Sequence, residues 1–193
     1  FGSGGHTKFL LSISDKVKVY GLDRDATAYN LALKLEKDLP DQFVPLHGKF
    51  SDLQNILEDK GFSEIQFNGI LIDCGCSSMQ LDSQDRGFSL SRNGPLDIRM
   101  SQTSEGVKSE PSIADILEHI DETSLARILK VYGKERDKRR KIVRTIIESR
   151  FLFKSLKTTK ELAELKWSAR AALALEKISC NGKVMWLRRL FKR

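Results

Sequence analysis

Between residues 16 and 73 the chain reads KVKVYGL (Lys16–Leu22), a helical stretch Arg24–Leu39, FVPLH (Phe43–His47), a second helical stretch Asp52–Lys60, and FNGILID (Phe67–Asp73). The first run is rich in β-formers, with Val17, Val19 and Tyr20 as its apolar members. Tyr29, Ala32, Leu33, Glu36 and Leu39 then recur at helical spacing, and Pro40 stops the helix. FVPLH is short and apolar and reads as a strand interrupted by Pro45. Leu53, Ile56 and Leu57 repeat at helical spacing, with Gly61 following as a C-terminal cap. FNGILID is continuously apolar and ends in a carboxylate, the pattern of a strand buried on both faces. Strand, helix, strand, helix, strand predicts an α/β fold with an open parallel sheet.

Upstream of the first strand, Gly2-Ser3-Gly4-Gly5-His6 precedes a helical stretch predicted over Thr7–Ser14. A glycine-rich turn lets backbone amides approach a ligand closely. Asp23 closes the first strand eighteen residues beyond Gly5, near the ~20 expected of an acid that grips ribose hydroxyls. Asp23 or Asp25 could instead cap the helix that follows, and the loop upstream favours the ligand role for Asp23. Asp73 ends the FNGILID run, and in open α/β sheets ligands lie outside the carboxyl ends of the strands. Glycine turn, Asp23 and Asp73 together fit a nucleoside-containing cofactor. They do not by themselves separate NAD from S-adenosylmethionine. The turn lacks the last glycine of G-x-G-x-x-G, and Lys8 is the one nearby cation for a pyrophosphate, which tilts the reading towards a phosphate-free nucleoside.

Downstream, residues 74–111 are dominated by Ser, Gly, Asp, Asn and Arg, a loop longer than the ~12–15 residues of an idle connection. Ser112 is a plausible N-cap for the first of three helices, Ile113–Ile120, Leu125–Tyr132 and roughly Arg136–Arg150. In the last, Ile142, Val143, Ile146 and Ile147 can face a core while Lys138, Arg139, Arg140 and Arg144 face outward. Such a face is either solvated or meets nucleic acid; the net charge of +7 on 193 residues is compatible with a polyanionic partner. No apolar run approaches the roughly 20 residues of a membrane-spanning helix, and no membrane partner is expected. Cys74, Cys76 and Cys180 are too few for a disulfide scaffold. Cys74-x-Cys76 lacks a second ligand pair for zinc and reads as small buried thiols at a strand end, so no metal is expected. His47 and His119 read as surface or packing residues. Neither G-x-S-x-G nor G-x-x-x-x-G-K-[ST] occurs, which sets aside hydrolase and P-loop readings.

The ordered blocks F-G-S-G-G-H-T (from Phe1), G-L-D-R-D (from Gly21), H-G-K-F-S (from His47), I-L-I-D-C-G-C-S-S-M-Q-L-D (from Ile70), R-G-F-S (from Arg86) and G-P-L-D-I-R-M (from Gly94) resemble the small-subunit rRNA cytidine N4-methyltransferase family, and most closely its mitochondrial animal branch. The match runs to about Leu165, taking in Tyr132-Gly133 and Thr158-Thr159-Lys160-Glu161-Leu162-Ala163. The resemblance implies a class I S-adenosylmethionine-dependent methyltransferase with a Rossmann-like parallel sheet and an inserted small helical domain. It places the methyltransferase domain at 1–91 and about 154–193, and the helical insert for substrate RNA at about 92–153. It carries the cofactor contacts onto Gly4, Gly5, His6, Asp23, Phe50, Asp73 and Gln80. It implies methylation of N4 of a cytidine in small-subunit rRNA, with that rRNA or an assembling small subunit as partner, and a mitochondrial matrix location.

Cytidine N4 is conjugated into the ring and is a poor nucleophile, so the base must be unstacked, aligned and hydrogen-bonded through its amine. Asp97 and Asp73 are the candidates to accept that hydrogen bond, and Arg86 and Arg99 either hold substrate phosphate or brace the loop. Cys74 and Cys76 stand where the family has Leu and Val. Beyond Leu165 the family's order is not followed, so the C-terminal part of the methyltransferase domain is expected to be incomplete. The chain opens on Phe1 inside a functional loop and carries no targeting peptide, and further residues are expected upstream. The alternative functions are a ribosome-assembly RNA-binding factor that keeps the fold without turnover, and a methyltransferase for another nucleotide or for protein.

Overall fold

A computed structural model describes residues 1–89, 92–101, 110–133, 139–153 and 156–165. The expected tail Lys166–Arg193, with Cys180, and Lys138 lie outside these residues. Contacts divide the chain into two units, the first Phe1–Asp73 joined by Met100 and Ser101, the second Cys74–Arg99 with the described residues from Glu110 onward.

In the first unit, α1 (Gly5–Leu11) leads to β1 (Val19–Asp23), α2 (Ala26–Asp38), β2 (Phe43–His47) and α3 (Leu53–Asp59). The strands pair in parallel from Val19↔Phe43 to Asp23↔His47, so their carboxyl ends finish level. Asp25 starts α2 by accepting the Thr27 N–H at 3.0 Å. Ala28 and Ala32, both 1% exposed, give α2 a face shallow enough to lie on the strands. Gly21 is required for the same reason: a Cβ there would stand 2.7 Å from the Phe43 ring. Leu11, Ala32 and Phe43 form the buried core, with Phe1, Val19, Leu35 and Leu39 packed around it.

The third predicted strand is not formed. Residues 67–73 carry no ladder, and Ile70 and Leu71 are 74% and 63% exposed. β1 pairs with β2 alone, and among the described residues no ladder takes in FNGILID, although the Phe67 ring stands edge-on to Tyr20 of β1 at 5.4 Å. An apolar run specifies what should be buried; a strand also needs a neighbour. The parallel sheet is therefore a small two-stranded one. Cys74 and Cys76 follow this unpaired segment and are half-buried, not buried at a strand end.

In the second unit the stretch expected to be loop contains α4 (Ser78–Asp82) and a 3₁₀ turn at Gln84–Arg86. The helices α5 (Ile113–His119), α6 (Glu122–Val131) and α7 (Arg139–Phe153) follow close to their predicted places, and α8 (Thr159–Glu164) is additional. Ser112 caps α5 with a reciprocal capping box to Asp115, and Thr158 does the same for α8 with Glu161. Leu117, Leu125, Leu129, Ile142, Val143, Ile146, Leu156, Leu162 and Leu96 form one buried core, with Ile147 packed against it. Arg150 lies across the end of α5 and donates to the Leu117 and Ile120 carbonyls, both at 2.6 Å. Those are carbonyls that a helix terminus leaves unpaired. Through Leu162, α8 shares this core with α5–α7.

Candidate functional site

At the carboxyl end of β1, Asp23 Oδ2 accepts the Gly2 N–H at 2.7 Å and Oδ1 accepts the Asp25 N–H at 2.9 Å. Asp25 takes the capping position on α2, which leaves Asp23 as the acid joined to the glycine turn. Gly2 and Gly4 hold φ of 60° and 84°, a region that favours glycine, and a Cβ on Gly4 would come within 2.8 Å of the Phe1 ring. A Cβ on Gly5 would meet nothing within 4 Å, so the turn faces open space there. His6 Nδ1 lies 3.4 Å from Asp73 Oδ2, both side chains well exposed. Phe50 is 51% exposed in the 3₁₀ turn beyond β2. Gly4, Gly5, His6, Asp23, Phe50 and Asp73 thus all belong to the first unit, with the turn tied to Asp23 and to Asp73.

This donor set suits a ligand with hydroxyls to donate and a positive charge to neutralise. The acceptors are the carboxylates Asp23 and Asp73, and an exposed aromatic ring is present for a base. A pyrophosphate would face two acids, with Lys8 the cation on the adjoining helix. The residues fit a cationic, phosphate-free nucleoside such as S-adenosylmethionine.

Gln80 lies in the second unit, 4% exposed. Its Oε1 accepts the Ser77 N–H at 2.9 Å while Ser77 Oγ accepts the Gln80 N–H, a capping box on α4. The S-x-x-Q spacing carries that signal in the sequence. Asp97 and Arg99 face each other as a fork, Nε to Oδ1 at 2.5 Å and Nη2 to Oδ2 at 2.7 Å. That contact raises the Arg99 guanidinium above its ordinary value. Arg86 is 6% exposed, donates to the Arg99 carbonyl at 3.0 Å and lies over the Phe88 ring. On α7, Arg140 and Arg144 are exposed, Arg139 is half-buried, and Arg144 pairs with Glu148 at 2.7 Å.

Two contacts had no clear sequence signal. His47 stacks on Tyr29 with ring centroids 4.7 Å apart. Arg24, beside Asp23, donates from Nε to Ser101 Oγ at 2.6 Å. No group of three or more His, Cys, Asp or Glu able to hold a metal occurs among the described residues. Nor is any described helix long and apolar enough to cross a membrane.

The family model of the MraW methylase family matches residues 1–191, further along the chain than the motif match to about Leu165. The chain is 41% identical over 165 residues to the 12S rRNA N(4)-cytidine methyltransferase of Homo sapiens, covering 86% of this chain and 40% of that one. It is 39% identical over 165 residues to the ribosomal RNA small subunit methyltransferase H of Paramagnetospirillum magneticum, covering 86% and 48%. It is also 48% identical over 165 residues to a Culex quinquefasciatus protein named as receptor-type tyrosine-protein phosphatase mosPTP-1. That match covers 86% of this chain but 11% of the mosquito protein, too little for its name to describe the matched stretch. The chain spans less than half the length of the methyltransferase relatives.

Proposed function

The chain belongs to the MraW methylase family, and we propose on that premise that it transfers a methyl group from S-adenosylmethionine to N4 of a cytidine in small-subunit ribosomal RNA. The observation that carries the reading is the glycine turn hydrogen-bonded to Asp23 at the tip of a parallel strand, with His6 reaching Asp73. The two relatives named as ribosomal RNA methyltransferases support the substrate class. The animal relative's 12S rRNA supports a mitochondrial small subunit, in the matrix, as the partner.

Asp23 would accept hydrogen bonds from the ribose hydroxyls through the lone pairs that Gly2 and Asp25 leave over. Gly4 and Gly5 would admit the amino-acid end of the cofactor, Phe50 would pack on adenine, and Asp73 with His6 would face its polar groups. Gln80 belongs to this set through the family resemblance. The bound cofactor supplies an electrophilic methyl on a positively charged sulfur. The protein must unstack the cytosine, hold N4 in line, and accept the amine proton as the N–C bond forms and the S–C bond breaks. Asp97 and Asp73 are the carboxylates proposed to receive that hydrogen bond. Arg140 and Arg144 would meet RNA phosphate from the exposed face of α7; Arg139, expected to face outward with them, is half-buried at i, i+3 and i+4 from the buried Ile142 and Val143.

The test is transfer from methyl-tritiated S-adenosylmethionine to small-subunit rRNA, followed by mass spectrometry of the nucleosides. Label in N4-methylcytidine is expected. RNA binding without label would leave a non-catalytic assembly factor, and label at another base or in protein would move the substrate.

A further inference from the structure

We propose that Arg99 is the positioning residue for Asp97 in the methyl-transfer step, a proposal that rests on the cytidine N4 reading above. Three contacts from Arg99 converge on one carboxylate: Nε on Oδ1 at 2.5 Å, Nη2 on Oδ2 at 2.7 Å and the backbone N–H on Oδ1 at 3.2 Å. A two-point fork fixes both the position and the plane of a carboxylate, which a lysine point charge cannot do. Each oxygen keeps acceptor capacity, and the two side chains are 28% and 29% exposed, so an amine can still reach Asp97.

For residues two apart to meet this way, the residue between them must turn. Ile98 does so at φ 54°, the one positive φ outside glycine among the described residues. A β-branched side chain is poorly suited to that region, and such a conformation persists where its surroundings over-determine it. They do so here from both sides. Ile98 N–H donates to the Arg86 carbonyl at 3.2 Å, Asp97 carbonyl accepts the Ile113 N–H at 3.2 Å, and Arg99 Nη1 donates to the Glu110 carbonyl at 3.2 Å. The buried Arg86 holds the Arg99 carbonyl at 3.0 Å. A loop that had only to turn could carry Gly or Asn at 98 without strain. The cost falls on the one residue between a carboxylate and the guanidinium that aims it.

The experiment compares the full chain with R99K, R99Q, D97N and D97N/R99Q. It measures kcat and KM for methyl transfer to small-subunit rRNA, the Kd for S-adenosylmethionine, and the melting temperature. R99K is expected to lower kcat about tenfold and R99Q about a hundredfold, the order of loss that misplacing a reacting group causes. The Kd for the cofactor and the KM for RNA should stay within about twofold. D97N/R99Q should be no slower than D97N, because Arg99 acts through Asp97. A parental kcat in R99Q, effects that multiply in the double variant, or equal losses in kcat and cofactor affinity would each overturn the proposal. Should R99Q not fold, R99K decides the question by the same readings. Absence of methyl transfer to cytidine N4 by the parent would sink the reaction reading and this proposal with it. Transfer by the parent with parental rates in both Arg99 variants would sink this proposal alone.

Discussion

Gly94 and Thr159, 65 residues apart, hold each other by two hydrogen bonds: Gly94 N–H donates to Thr159 Oγ1 at 3.1 Å, and Thr159 N–H donates to the Gly94 carbonyl at 2.9 Å. Thr159 Oγ1 also donates to the Arg92 carbonyl at 3.2 Å, and Leu96 N–H donates to the Lys157 carbonyl at 2.7 Å. The G-P-L-D-I-R-M block is thereby pinned to the start of α8. Gly94 has no alternative residue here, since a Cβ would stand 1.9 Å from the Gln84 carbonyl oxygen.

Thr159→Val keeps the shape and removes the hydroxyl, leaving the buried Gly94 N–H without its acceptor. The variant should lose about 1–3 kcal/mol of stability, while Thr159→Ser should lose well under half as much. Urea denaturation of both decides it; equal losses would mean that the methyl and not the hydroxyl matters.

Asp23→Ala removes the acceptor at the strand tip and frees the glycine turn from Oδ2. S-adenosylmethionine binding should weaken by roughly 1.5–3 kcal/mol, about 10- to 150-fold in Kd. Calorimetric titration of a variant with parental melting behaviour is the check. Unchanged affinity would take Asp23 out of the ribose role.

Arg140→Gln with Arg144→Gln should weaken RNA binding and flatten its salt dependence by roughly 0.7 log units for each single-strand phosphate that the variant no longer neutralises. Both guanidinium groups are exposed, and the Arg144 pair with Glu148 is a surface contact of little net strength. A salt slope equal to the parent's would return this face of α7 to ordinary solvation.

Asp115, Asp121 and Glu161 cap α5, α6 and α8 and are held below their ordinary values. The causes are hydrogen bonds, first from the Ser112 side chain, the Ser124 side chain and the Lys157 backbone respectively. A folded-state value below the unfolded one contributes stability that is present above the unfolded values of 3.8 and 4.5 and is lost as pH falls through the folded ones. The second unit should therefore lose stability on the acid side, below about pH 4. Asp115→Asn, Asp121→Asn and Glu161→Gln combined should flatten that limb and leave the neutral-to-alkaline curve parallel to the parent's. An acid limb as steep as the parent's would assign it to other carboxylates.

The parts legible in the sequence were those whose cause is local. Helical spacing marked α2, α3 and α5–α7 because one face of each helix must be apolar, and Pro40, Gly61 and Ser112 marked ends because caps and stops act within a turn. The glycine turn and Asp23 were legible because their spacing follows from one strand and one helix. The capping boxes at Ser77/Gln80 and Thr158/Glu161 were equally local, yet the polar texture around the first concealed a helix.

Whether FNGILID is a strand was not a property of its own residues. Its apolarity states a need for burial, and a strand also needs hydrogen-bonded pairing with another piece of chain, which the two-stranded sheet does not extend to it. The same holds for Arg86 and Arg99, whose charge suggested RNA equally with a brace. What the fold adds is position: a carboxylate lies within hydrogen-bond reach of Arg99, and the Arg99 carbonyl within reach of Arg86. The sequence by itself determined the helices, the first two strands and the family to which the chain belongs, because periodicity and motif order are written along the chain. Tertiary structure decided which acids and cations face one another, because a 2.5 Å contact across a strained Ile98 depends on a backbone path that no local spacing specifies.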